Sequence, residues 1–193
     1  MDTIEFCKLA VASKTWNRPV LESVYRDVDK FVATDGHRLH WCNSQPHIEK
    51  PYLLSGQDYE YPDYKQAFPR NLNPVAKFTL SKKEIRSLKL FCDLLASFND
   101  KRDQPIGGKI TMGLTSISFR SDRCDAYHLE LKFHANVFME CGISLNLRYF
   151  YEAVSMWADQ PISLQFDNPN APIQLDGPEN CHALIMPMRI LES

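Results

Sequence analysis

The sequence predicts an α+β fold: antiparallel sheets with helices on one face. Three observations predict it. Helical periods recur over 81–98 and from Asn146 to about Ala158, and each is followed by short strand-like runs. YHLELKF alternates Leu129, Leu131 and Phe133 with His128, Glu130 and Lys132, the two-residue period of a half-buried strand. Ser81 with Glu84 three residues on has the form of a capping box, which opens a helix.

In chain order, Asp2 to about Lys14 reads as a short helix with Phe6, Leu9, Ala10 and Ser13 on one face. Two β-rich runs follow, PVLESVYRDV and KFVATDGHRLHWC, joined by a tight acidic turn at Asp27–Asp29. Residues 43–75 are rich in Pro, Tyr and Asn without a long period, so they read as a surface connector. In the helix over 81–98, Ile85, Leu88, Cys92, Leu95 and Phe98 fall on a core-facing stripe. Lys82, Arg86 and Lys89 fall on the opposite side, and with Lys83 they outnumber Glu84 and Asp93. KITMG and SISFRSD flank a turn, and YHLELKF follows. The second helix places Leu147, Phe150, Val154 and Trp157 inward, and PISLQF, PIQL and CHALIMPMRI supply three further strands. From Lys77 on, the order is therefore helix, strands, helix, strands: two similar halves.

Composition narrows the function. The formal net charge of −2 rules out a uniformly basic nucleic-acid binder, so any DNA contact must come from cations gathered on one face. Neither G-x-x-x-x-G-K-[ST] nor G-x-G-x-x-G occurs, which argues against a nucleotide-driven motor. No apolar run approaches the roughly 20 residues of a membrane span, and the first ten residues lack the pattern of a signal peptide. The six cysteines show no C-x-x-C spacing and read as free thiols of a reducing cytoplasm. In HRLHWC only His40 and Cys42 share a strand face, and no matching ligand cluster occurs, so no metal site is expected. Asp35 beside His37 has no accompanying nucleophile motif and reads as a turn-stabilising Asp next to Gly36. No cofactor and no catalytic residue are expected.

Three strings carry a resemblance: ATDGHRL (Ala33 to Leu39), YPDYKQAFP (Tyr61 to Pro69) and IMPMRI (Ile185 to Ile190). The last is preceded by LNLRYFYEAV and FDNPNAPIQL. In this order they resemble the bacterial β sliding clamp, the processivity ring of the replicative polymerase. The resemblance implies the DNA-clamp (processivity) fold. It implies a partial half-domain plus connector over 1–75 and a complete C-terminal clamp domain over 76–193. Only about twenty residues separate Cys42 from Tyr61, so the other half of the middle domain is missing, as is the family's first domain.

The resemblance also implies a groove for short extended peptides of DNA polymerases, the clamp loader and repair proteins. Carried over by motif, it comprises Leu21, Thr34, Gly36, His37, Arg38 and Leu39, then Pro62 and Gln66. Tyr149, Leu184, Ile185, Met186, Pro187, Met188 and Arg189 complete it. Met adapts to differing anchors, and Arg38 and Arg189 are expected to hold acidic groups of the peptide. Gln66 replaces a usually basic residue and Ala67 a usually aliphatic one, departures that bear on peptide preference. Lys8, Lys82, Lys83, Arg86, Lys89 and Arg148 are the expected DNA-facing cations, touching double-stranded DNA without sequence preference. The implied protein is no enzyme but a cytoplasmic, nucleoid-associated clamp of a phage or mobile element, with no membrane contact. It is a homo-oligomer whose ring would need four copies to reach the family's twelve half-domains, or three of a larger unit. The alternative is a non-encircling adaptor or decoy that binds the same peptides.

Overall fold

The computed structural model describes residues 2–68, 76–97, 107–112, 116–121, 128–132, 136–137, 141–157 and 160–188. Helix α1 (Thr3–Lys8) is capped by Asp2, whose Oδ1 accepts from the amides of Ile4 (2.9 Å) and Glu5 (3.3 Å). It stops well short of Lys14. Ser13 caps a separate 3-10 turn (Lys14–Trp16), and Asn17 ends that turn in the left-handed region at φ 51°.

The two β-rich runs are more broken than their composition predicts. Pro19–Leu21 forms a 3-10 turn, leaving only Tyr25–Arg26 as strand β1. KFVATDGHRLHWC is not one strand but a hairpin of β2 (Lys30–Thr34) and β3 (Arg38–Asn43). It reverses at Asp35–His37, where Gly36 takes φ +92°. The acidic turn between β1 and β2 is present, with Asp27 accepting the Val28 amide at 2.8 Å. The connector contributes a short strand, β4 (Tyr52–Leu53), and a 3-10 turn (Tyr64–Ala67), and is otherwise mostly exposed.

Strand β5 (Ala76–Leu80) leads into α2 (Lys82–Ser97). The capping box closes as expected: Glu84 accepts the Ser81 amide at 2.6 Å, and Ser81 accepts the Glu84 amide at 3.4 Å. Strands β6 (Gly107–Met112), β7 (Ser116–Ser121), β8 (His128–Lys132), β9 (Asn136–Val137) and β10 (Cys141–Asn146) follow. Then come α3 (Leu147–Ser155), capped by Asn146, and β11 (Ile162–Phe166), β12 (Ile173–Asp176) and β13 (Cys181–Ile185).

Every pairing is antiparallel. One sheet has nine strands in the order β4-β1-β2-β3-β13-β12-β11-β5-β9, and the other has four in the order β10-β6-β7-β8. The β3–β13 ladder joins the N-terminal segment to the end of the chain, with Leu39 opposite Leu184 and Arg38 opposite Ile185.

Alternation along these strands separates two cores. Ala33, Cys42, Ala183, Ile185, Leu175 and Leu164 face the helices, meeting Phe6 of α1, Ile85 and Leu88 of α2, and Leu147, Phe150, Val154 and Trp157 of α3. Helices therefore lie on one face of the large sheet, and Ile110, Phe119 and Ile143 of the small sheet close over the same core. Val32, Leu39, Trp41 and Leu184 point the other way, under Leu21, Tyr61 and Tyr64. Of the expected α2 core stripe, Ile85 and Leu88 are fully buried; Phe98 lies outside the described residues.

The reading of all cysteines as free thiols is corrected. Cys42 and Cys181, 139 residues apart, stand directly opposite on β3 and β13 and form a disulfide. Sequence spacing carries no sign of this, because antiparallel register and not separation along the chain brings the two together. Cys7 remains a free, buried thiol, pushed up to about 12 by that burial.

Candidate functional site

The site grows from the β2–β3 turn. Asp35 Oδ1 accepts the amides of His37 (2.9 Å) and Arg38 (3.1 Å), and the Thr34 hydroxyl accepts the Gly36 amide at 3.1 Å. These bonds fix the turn and leave Gly36 and His37 exposed at its tip. Immediately beyond β13, the Met186 amide donates to the His37 carbonyl at 2.9 Å. ATDGHRL and IMPMRI, far apart in the chain, are thus laced side by side. The segment then leaves the large sheet: Pro187 bridges to Leu145, and the Met188 amide donates to the Ser144 carbonyl at 2.7 Å.

The structure divides the expected groove residues between the two faces of the sheet. Leu21, Leu39 and Leu184 form a buried apolar floor on the face away from the helices. Met186 (39% exposed) stands at the edge of that face, and Thr34, opposite Leu39 in the hairpin, lies on it. The Tyr61 hydroxyl accepts the Thr34 amide at 3.1 Å, which holds the connector, with exposed Pro62 and Gln66, along the same side. Burial, above all, raises the Tyr61 hydroxyl far above its ordinary value, so it stays protonated. Pro187 and Met188 are half-buried.

Ile185, Arg38 and Tyr149 belong to the other face. Ile185 is fully buried in the helix-side core. Arg38 is also buried, and its expected role as an acceptor of peptide charge is corrected. Its Nε donates to Asp35 Oδ2 at 3.0 Å, its Nη1 pairs with Glu152 of α3, and its guanidinium lies 4.2 Å from the Tyr149 ring centroid. An Arg so satisfied is a brace between the turn and α3. Arg189 lies outside the described residues.

Two neighbours of the turn escaped the sequence reading. Trp16, 42% exposed, meets His37 edge-on with centroids 5.6 Å apart, and Arg18 Nη1 lies 3.4 Å from where a Cβ on Gly36 would sit. No signal in the sequence marked them, since a single aromatic in a polar stretch such as SKTWNR is ordinary on a protein surface.

The expected DNA-facing cations lie on the three helices of the single helical layer. Lys8 is exposed but bonded to Glu5 at 2.6 Å. On α2, Lys82, Arg86 and Lys89 form one stripe that continues to Asp93, which accepts the Tyr151 hydroxyl of α3 at 2.5 Å. Lys83 falls on a different stripe, with Leu90 and Leu94. Arg148 is half-buried in the first turn of α3. Among the described residues no cluster of three or more metal-ligating side chains occurs, and no helix is long and apolar enough to cross a membrane.

No protein-family model matches the chain. It is 24% identical to the beta sliding clamp of Borreliella burgdorferi over an alignment of 227 residues, taking in 90% of this chain and 56% of the relative. That alignment is longer than the chain, so the relative carries residues inside the matched span that have no counterpart here. Among solved structures, the DNA polymerase III beta subunit of Thermotoga maritima superposes with a TM-score of 0.76 at 18% identity, over 97% of this chain and 62% of that one. The Helicobacter pylori beta clamp bound to a DNA ligase peptide gives 0.72 at 17%, over 98% and 63%. The chain thus spans a little under two thirds of the proteins it matches. In fold, and at 24% identity in sequence, the chain is similar to bacterial β sliding clamps over that part of their length.

Proposed function

We propose that this chain is a clamp-type processivity factor. Its groove takes short extended peptides of DNA polymerases, clamp loaders and repair proteins, and copies of the chain assemble into a ring around double-stranded DNA. The observation that carries the reading is the lacing of ATDGHRL to IMPMRI over an apolar floor of Leu21, Leu39 and Leu184. Exposed Met186 beside that floor, and half-buried Met188 two residues on, are adaptable apolar side chains that suit differing hydrophobic anchors. The Helicobacter pylori relative was solved with a DNA ligase peptide bound, which supports the peptide class.

Tethering by topology needs no chemistry, so the proposed protein is no enzyme and uses no cofactor or metal. DNA contact falls to Lys82, Arg86 and Lys89 of α2, with Lys8, Lys83 and Arg148 secondary. The chain divides at about residue 75 into a half-domain with connector and a complete clamp domain, and acts in the cytoplasm at the nucleoid. In that reducing compartment the Cys42–Cys181 pair is expected to open to two facing thiols. A second reading, an adaptor that binds the peptides without encircling DNA, is favoured by the internal residues lacking here relative to the Borreliella protein.

Met188→Asp, checked for retained folding by circular dichroism, is expected to weaken binding of a clamp-motif peptide at least ~10-fold, the cost of a buried charge at an anchor site. Fluorescence anisotropy with unchanged affinity refutes the groove. Retention on nicked circular DNA with release after linearisation marks a ring, and failure to be retained leaves the adaptor.

A further inference from the structure

Among the described residues, the strands drawn from 25–53 meet those drawn from 76–185 at one seam of the nine-stranded sheet, the β3–β13 ladder. The seam runs Cys42–Cys181, Trp41–His182, His40–Ala183, Leu39–Leu184 and Arg38–Ile185. It then passes to the Met186 amide on the His37 carbonyl. One end therefore carries the two sulfurs, and the other carries the turn and the apolar floor.

The sulfur end is the one placed to open. Cys42 and Cys181 are buried, but Asn43 and Asn180, the next residues outward, are exposed. Glu179 and Asn180 take φ 56° and 55°, in the left-handed region that side chains seldom adopt, so the turn leading into Cys181 is held at a conformational cost. The Gly177 amide closes that turn on the Cys181 carbonyl at 2.9 Å. A ladder end with exposed neighbours opens locally more readily than the interior of a sheet. Cys7 differs: its thiol lies under α1, 3.6 Å from the Phe31 carbonyl, and burial keeps it protonated and out of exchange.

We propose that Cys42 and Cys181 are a reversible oxidation site whose state sets how firmly the two walls of the groove are joined. The oxidant is a low-molecular-weight disulfide of the glutathione class. The Cys181 thiolate, reached when the turn opens, attacks one sulfur of that disulfide and releases the first small thiol. The Cys42 thiolate then attacks Cys181 Sγ and releases the second. The protein pair is oxidised, the small disulfide is reduced to two thiols, and the two cysteine protons end on them. The bond locks the sulfur end of the seam, whereas the dithiol leaves that end free to open. The consequence for peptides rests on the proposed groove: a locked seam holds Leu39 beside Leu184 before the peptide arrives.

Amide hydrogen exchange of the full chain, reduced and then equilibrated with oxidised glutathione, tests the site; non-reducing peptide mapping identifies the pair. Oxidation is expected to slow exchange over 38–43 and 181–186 at least ~10-fold and to change 107–112 and 116–121 of the four-stranded sheet little. Dithiothreitol should restore the fast rates. Cys42→Ala/Cys181→Ala is expected to exchange alike with and without oxidant, and Cys7→Ala to respond as wild type does. Failure of the pair to form at any glutathione ratio, or equal slowing of both sheets, overturns the site. A clamp-motif peptide should bind the oxidised form ~3-fold or more tightly than the reduced one. Equal affinity overturns the coupling to the groove. A peptide that binds neither form refutes the groove itself, while hydrogen exchange still decides the oxidation site.

Discussion

His40 sits in the helix-side core as a neutral ring. Its Nδ1 donates to the Phe6 carbonyl at 3.0 Å, the ring stacks on Phe6 at 4.5 Å, and Nε2 is buried with no partner among the described residues. Burial, and then the charge of Arg38, lower its pKa from 6.5 to about 3. The unfolded chain takes up a proton below pH 6.5 that the folded chain refuses until about 3. His40 therefore costs nothing above 6.5, and stability falls progressively as the pH drops through that window. His40→Phe keeps a ring on Phe6 and removes the titration. Its acid-unfolding midpoint, followed by circular dichroism, is expected at lower pH than wild type, against a loss of about 1 kcal/mol at neutral pH for the hydrogen bond. Gly177 is a second exacting position: a Cβ there would lie 2.3 Å from the buried Trp157 ring. Gly177→Ala is expected to cost about 1–3 kcal/mol, read from thermal melts, because a ring packed on every side has little room to shift.

Among the elements, α2 begins where Ser81 and Glu84 satisfy each other's amides. Ser81→Ala should lower stability by about 1 kcal/mol, and Ser81→Asp should restore most of it; urea unfolding distinguishes the two. Both long helices were legible because caps and a 3.6-residue period are local properties, and 128–132 was legible as a strand. The N-terminal region was not. Phe6, Leu9 and Ala10 continue a helical pattern, but the chain leaves the helix after Lys8 because Ser13 and Asn17 favour a turn of their own. KFVATDGHRLHWC reads as one β-rich run, yet its turn-stabilising Asp35 beside Gly36 marks where it folds into a hairpin.

At the scale of the molecule, the decisive contact is the β3–β13 ladder. In the oxidised protein the Cys42–Cys181 bond staples it, and a crosslink closing a loop of 139 residues restricts the unfolded chain by about 3–5 kcal/mol in the entropic account. Dithiothreitol is expected to lower the melting temperature of the oxidised protein and to leave Cys42→Ala/Cys181→Ala unchanged. Equal shifts in both proteins would contradict the pairing.

The α+β class, the helical caps and three strings similar to a sliding clamp are legible in the chain because each is written in neighbouring residues. Which face each groove residue occupies was decided only by tertiary structure. Arg38 and Leu39 adjoin in the chain, yet the pleat sends one to brace Glu152 and the other to the apolar floor beside Leu184. The same holds for Trp16 and Arg18, which reach Gly36 and His37 only because the chain folds back, and for Cys181, which finds Cys42 through strand register. Side-chain period is local and can be read; the partner across a sheet is set by the balance of the whole core and cannot.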